Sequence, residues 1–325
     1  MKILKKGVIR YLLILSTVLL GIFLSFGQDT IYFQSANPFS FYDIITDLDN
    51  QEKQQVYGVL TLPDGFKSTT QYPVIIAVAG SNGWSDHHRD YLNIYRKNGI
   101  ATFELCSFQS RSVKSTVGSQ TQVTTAMMVL DSYRAFEMLA DIRMIKKSKI
   151  AITGWSLGGG VSLFSAWSPL KNAINPNIVF AAHLPIYPPC IVTPSILDFG
   201  ASPIHILIGE LDNWTPSDAC EDLVNKLEKN TNIDLTIYPN AHHSFDRLSP
   251  LKIQEKGYIL EDCRFEMNKN GAVLMNFFKI PMINSFLQKM GLFICAKRGP
   301  TYGGNYEARE KALIFSKEFM LKHLY

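Results

Sequence analysis

Little of this chain is charged. Acidic and basic residues make up 18% of its 325 positions, against 46% hydrophobic, the balance of a globular protein with a well-filled core. The formal net charge is only +4, and Lys2, Lys5, Lys6 and Arg10 place four cations within the first ten residues. No basic stripe remains to follow a phosphate backbone, so nucleic acid is not an expected partner. Cysteine is scarce as well. There are five, Cys106, Cys190, Cys220, Cys263 and Cys295, with no C-x-x-C pair and no cysteine–histidine cluster at zinc spacing. No metal or cofactor is therefore expected. An odd count leaves at least one thiol unpaired unless two chains are bridged. Internal repeats, low-complexity tracts and clear linkers are also missing, and one domain over residues 28–325 is the simplest organisation.

What is present begins with a leader. After the basic start, residues from Tyr11 to Phe26 form an uncharged apolar run, and Ser25-Phe26-Gly27 supplies small side chains one position apart. Residues 1–27 read as a secretory signal peptide, with an uncleaved membrane anchor as the alternative. Either sends the rest of the chain across a membrane. The expected location is exported, periplasmic or secreted, with membrane association through the N-terminal segment in the second case.

Past the leader, strand-like and helix-like segments alternate, the pattern of a parallel sheet covered by helices on both faces. Val56–Leu62, Val74–Ala79, Ile100–Leu105, Lys149–Thr153, Ile178–Ala182, Ile204–Ile208 and Ile233–Tyr238 read as strands. Arg89–Lys97, Gln122–Ala140, a stretch just after Ser156, Ser217–Lys229 and Glu307–His323 read as helices. The alternation breaks at about 248–304, an insertion before the last helix. It holds a hairpin pattern over Cys263–Val273, turning at Asn268–Gly271, and an apolar segment over Phe277–Phe293. A cap over the site and a peripheral patch are both open for it.

The sharpest motif is Gly154-Trp155-Ser156-Leu157-Gly158-Gly159, a G-x-S-x-G between a β-branched strand and a helix-compatible stretch. Glycines two positions to either side let the serine sit on a tight strand-to-helix turn, its hydroxyl at the rim of the sheet. A serine nucleophile needs a base, and the base needs an orienting acid. Asp212 follows the strand Ile204–Ile208, with Glu210 as competitor. Adjacent His242 and His243 follow the strand Ile233–Tyr238. The chain order Ser, Asp, His is the one this architecture uses. Ser156 is the candidate nucleophile, Asp212 the acid, and one of the two histidines the base. The amide of Leu157 is one oxyanion donor, and Ser81, in the Gly80–Gly83 loop, the candidate for the second. Arg111, after the strand Ile100–Leu105, reads equally as a binder of a substrate carboxylate or as a structural arginine. Trp155 and Trp214 flank the candidate residues as packing or substrate contacts.

These residues resemble the dienelactone hydrolase family of α/β-hydrolases from about Val56 to His323. The resemblance rests on Ala79–Gly83, Ser107–Arg111, the serine turn, Gly209–Pro216 and Tyr238–Asp246. It implies an α/β-hydrolase fold, with a mostly parallel central sheet flanked by helices and an insertion before the C-terminal helix. The family's A-x-H-x-F pattern selects His243, and its acid block selects Asp212. Serine stands where dienelactone-cleaving relatives carry cysteine, which implies a general hydrolase of carboxylic esters or lactones acting through an acyl-enzyme. Exopeptidase-type chemistry on the same fold, or a non-catalytic exported binding protein, are the alternatives. Cys220 and Cys263 read equally as a disulfide that pins the inserted hairpin to the helix after Asp212 and as two buried thiols.

Overall fold

Strands covered on both faces have no reason to alternate polar with apolar, and the middle of this sheet shows that directly. Every residue from Val74 to Val78 is fully buried. The computed structural model describes residues 28–325. The leader reading for residues 1–27 lies outside the described residues. In chain order, β1 (Gln28–Ala36), α1 (Phe41–Asp47), β2 (Lys53–Thr61), β3 (Tyr72–Val78), α2 (Asp86–Lys97), β4 (Ala101–Leu105) and α3 (Thr125–Ala140) make the first half. Then come β5 (Ile145–Trp155), α4 (Leu157–Phe164), α5 (Ser168–Ile174), β6 (His183–Ile186), β7 (Val192–Pro194), β8 (Ile204–Gly209), α6 (Ser217–Leu227) and β9 (Ile233–Tyr238).

Eight strands form the main sheet in the order β1-β2-β4-β3-β5-β6-β8-β9. Pairings β1–β2 and β2–β4 are antiparallel, and every later pairing is parallel. Parallel neighbours need crossover connections, and the helices supply them. The carboxyl ends of β5, β8 and β9 thereby share one rim, where ligands bind in such sheets.

Most sequence-based expectations fall on observed elements to within a few residues, and Ile233–Tyr238 matches at both ends. One strand is displaced. Ile178–Ala182 is not a strand; β6 starts at His183. Ile178, Phe180 and Ala182 before it are buried outside any strand and Val179 is exposed, whereas β6 contains a buried histidine and Pro185, neither a strand signal. The edge strand β1 and the short helices α1 and α5 had no strong pattern.

The insertion is an excursion with a closed neck. β10 (Lys252–Ile253) pairs with β15 (Thr301–Tyr302), and β11 (Tyr258–Ile259) pairs with β14 (Lys297–Arg298). Inside lie the expected hairpin, β12 (Phe265–Met267) with β13 (Val273–Leu274), and α7 (Ser285–Cys295). Asn284 caps that helix by accepting from the Leu287 amide at 3.0 Å. The chain closes with α8 (Tyr306–Leu324).

The disulfide expectation is corrected. Cys190 pairs with Cys220, and Cys263 pairs with Cys295; Cys220 and Cys263 are not joined. The reason is the register of β12 against β7, which sets Phe265 beside Val192. Cys263 and Cys190 each precede their strand by two residues. Cys190 faces α6, and Cys263 meets the returning end of α7. So α6 is tied to the loop before β7, and the insertion is tied to itself. Cys106 is the free thiol among the described residues, and burial pushes it up to about 12.

Candidate active site

The turn after β5 is dictated by steric necessity. A Cβ on Gly154 would lie 2.1 Å from the carbonyl oxygen of Gly158, and one on Gly158 would lie 2.1 Å from that of Val78. Only glycine fits either place. Between them Ser156 adopts φ 55° and ψ −116°, a strained conformation for a residue with a side chain. Its amide donates to Ile186 at 2.9 Å, and its carbonyl accepts from Gly160 at 2.9 Å, so both neighbours hold the strain in place.

Two loops meet this serine. A Cβ on Gly209 would strike the Ala241 carbonyl at 2.3 Å, so glycine there lets the loop after β8 press against the loop after β9. Leu211 donates its amide to Ala241 at 2.9 Å across that contact. The result is a continuous chain of side chains. His243 Nε2 lies 3.0 Å from Ser156 Oγ, and His243 Nδ1 lies 2.7 Å from Asp212 Oδ2. All three residues are buried, Ser156 least so.

Asp212 is fixed from every side. Oδ1 accepts from the amides of Trp214 at 3.0 Å and Thr215 at 2.8 Å, and Thr215 Oγ1 lies 2.9 Å from Oδ2. The His243 ring is held between Trp214 and Tyr187, each with its centroid 4.8 Å away. The competitors point elsewhere. The Glu210 carboxylate accepts from the Asn240 amide at 2.8 Å, and His242 Nδ1 lies 2.9 Å from Thr301 Oγ1 in the neck of the insertion. Thr215 and Tyr187 were not singled out in the sequence. Thr215 lay within the acid block, but Tyr187 sits in a loop with no motif.

Leu157 and Ser81 both border the space beside Ser156. Leu157 opens α4, so its amide has no intrahelical acceptor. Trp214 also stands on this wall. Trp155 does not act as a substrate contact: it is fully buried and stacked on His88 at 4.5 Å. Arg111, open between a substrate and a structural reading, takes the structural one. All five of its N–H donors are consumed, two by Asp131 at 2.7 and 3.1 Å, one by Asn37 at 2.8 Å, and two by the carbonyls of Ser107 and Ala36 at 3.1 Å. Its side chain is buried, and nothing remains to hold a substrate carboxylate.

The space beside Ser156 is an apolar cavity of about 220 Å³. Leu157 and Phe164 line it from α4, Phe41 from α1, and Phe265, Met282 and Leu292 from the insertion. The insertion is therefore a cap over the site rather than a peripheral patch.

Behind the histidine lies a second buried group. Asp246 is fully buried and accepts from Tyr187 Oη at 3.0 Å, with His87 Nε2 at 3.7 Å. Burial pushes its carboxyl up from an ordinary 3.8 to about 6, against the pull of the Tyr187 and Tyr91 hydroxyls and of Arg247. Burial also drives His87 down, so it faces Asp246 uncharged. A raised carboxyl keeps its proton in the folded chain after the unfolded chain has lost it. Stability therefore falls as pH rises from 3.8 to about 6 and stays lowered above. At about 1.4 kcal/mol per tenfold, the cost at pH 8 is about 3 kcal/mol. Asp246→Asn is expected to recover up to that amount at pH 8 and little at pH 4. Urea titrations of both proteins at the two pH values check it; an equal gain at both would remove this assignment.

A mostly parallel sheet with a strained serine after β5, an acid after β8 and a histidine after β9 defines an α/β-hydrolase. The chain belongs to the dienelactone hydrolase family, whose profile matches residues 66–259, and it is a carboxylic-ester hydrolase. No curated protein matches the chain. Among solved structures, esterase 2 of Thermogutta terrifontis phosphonylated by cyclosarin is 17% identical, with TM-score 0.48, covering 65% of this chain and 84% of that one. An esterase of Pyrococcus furiosus is 15% identical, with TM-score 0.47, covering 69% and 88%.

Proposed function

We propose that this chain hydrolyses carboxylic esters through an acyl-enzyme on Ser156. The carrying observation is the unbroken line from Ser156 Oγ through His243 to Asp212, at 3.0 and 2.7 Å, at the wall of an apolar cavity. Ser156 Oγ attacks the ester carbonyl carbon while its proton passes to His243 Nε2. The carbonyl oxygen becomes an oxyanion facing the amides of Leu157 and Ser81. Collapse breaks the bond to the alkoxy group, which leaves with the proton from His243. Water then gives a proton to His243 and attacks the acyl carbon, releasing the acid and restoring Ser156. Asp212 keeps a proton on Nδ1 and balances the imidazolium that forms.

The cavity takes the acyl chain in this reading. Each buried methylene contributes about 0.8 kcal/mol, so specificity rises about fourfold per carbon until the cavity is full. The chain is exported in the same reading, and two cystines suit an oxidising compartment. The test is kcat/KM over p-nitrophenyl esters from acetate to laurate. The expected profile climbs from acetate to a medium-length optimum, and Met282→Trp, which fills the cavity roof, moves that optimum toward acetate. A wild type that turns over none of these esters contradicts the proposal.

A further inference from the structure

The helix that roofs the cavity has two apolar faces, and only one of them is used. Leu292, Gln288 and Gly291 of α7 turn inward, and the first two line the cavity. The outward face reads Phe286, Lys289, Met290, Phe293 and Ile294, all exposed. Phe286 and Phe293 are 70% and 88% exposed, a poor fate for phenylalanine in water. Spacings of four, three and one place these apolar side chains on a single stripe. The cap turn adds two more: Phe277 and Phe278 are exposed at 61% and 78%, with Phe278 and Lys279 held at φ 57° and 52°.

Charge identifies what covers this face. From residue 269 to residue 300 the chain carries Lys269, Lys279, Lys289, Lys297 and Arg298 and no acidic residue. Just before that stretch lie Glu261, Asp262 and Glu266, of which Glu266 pairs with Lys279 at 3.0 Å and Asp262 with Lys297 at 2.8 Å; three acids against five cations leave an excess of cations. A second copy of the chain would set cation against cation. Phe and Met occur at protein interfaces as they do at lipid surfaces, but protein interfaces disfavour Lys, and Lys289 is exposed within this stripe. α7 itself carries one cation, Lys289, and no anion, and exposed phenylalanines beside basic rather than acidic side chains are the composition of helices that lie in an anionic lipid interface.

We propose that the outward face of α7 docks the protein on an anionic phospholipid surface, with the cap lying between that surface and Ser156. The inference rests on the esterase reading and deepens it: the ester substrates are apolar molecules held in lipid, which enter the cavity beneath the docked helix.

The test is made on the full chain carrying Phe293→Trp, read as a difference spectrum against wild type. Vesicles of phosphatidylglycerol and phosphatidylcholine are expected to shift the new indole emission to the blue, brominated chains to quench it, and high salt to reverse both. Pure phosphatidylcholine is expected to give a much weaker response. In parallel, Phe286→Ser with Phe293→Ser is expected to slow hydrolysis of a vesicle-held long-chain ester at least tenfold. The same pair leaves hydrolysis of soluble p-nitrophenyl butyrate unchanged. An indole that stays at the emission of a water-exposed site with every vesicle overturns the docking proposal. So does a blue shift that needs only higher protein concentration, which would identify a second copy as the occupant. If wild type fails on the soluble ester while the indole still shifts, the esterase reading falls and the docking stands.

Discussion

Ser156→Ala is expected to reduce kcat on p-nitrophenyl butyrate by 10⁴- to 10⁶-fold, on the order found for removal of a hydrolase's nucleophile. Its thermal unfolding is expected to stay close to wild type, because a serine at φ 55° makes its structural bonds through backbone atoms that alanine keeps. His243→Ala is expected to cost about as much. The double variant is expected to be no worse than either, since Oγ and Nε2 act as one unit across 3.0 Å. Steady-state rates corrected for spontaneous ester hydrolysis decide the matter. Losses below tenfold, or losses that multiply in the double variant, would mean that the two residues do not share a step.

Arg111→Met is expected to act on stability and leave the chemistry alone. The guanidinium is the counter-charge of Asp131, which is fully buried, accepts from Ser107 Oγ at 2.7 Å and also from Ser35 Oγ. Removing one partner of such a pair leaves a charge stranded in a poor solvent, at about 3–5 kcal/mol. Replacing both, as Arg111→Met with Asp131→Leu, is expected to recover part of that loss: the apolar pair needs no partners, while the buried Ser35 and Ser107 hydroxyls lose their acceptor. KM for short esters is expected to be unchanged in the single variant. Urea unfolding and a KM measurement on the same preparation check both halves. A raised KM with stability intact would restore Arg111 to the substrate.

The contrast between Ser156 and Arg111 shows what was legible. The serine turn, the acid block and the histidine loop were readable because each chemistry demands a local pattern: glycines where a Cβ would strike backbone, an acid just past one strand, a histidine just past another. Glu210 against Asp212 and His242 against His243 were settled by the family resemblance; in the structure His243 lies 3.0 Å from Ser156 Oγ and 2.7 Å from Asp212 Oδ2. Arg111 stayed open between two readings because its partners Ala36 and Asn37 lie at and just past the end of an edge strand with no strong signal, far away in the chain. The cystines failed for the same kind of reason. Their pairing follows from β12 lying beside β7, a contact between segments about seventy residues apart. The insertion's role as a cap was likewise undecidable from pattern alone, since an apolar helix lining a cavity and one lining a surface patch have the same periodicity. Here one helix does both, through opposite faces.

The most direct test of the account is covalent. Wild type is treated with a fluorophosphonate, whose adduct water cannot readily remove, and ester hydrolysis is followed in the same tube. The account predicts one adduct per chain, located on the peptide that contains Ser156, rising in step with the loss of activity, and absent from Ser156→Ala. Complete inactivation with Ser156 unmodified, or an adduct at another residue tracking the loss, would contradict it.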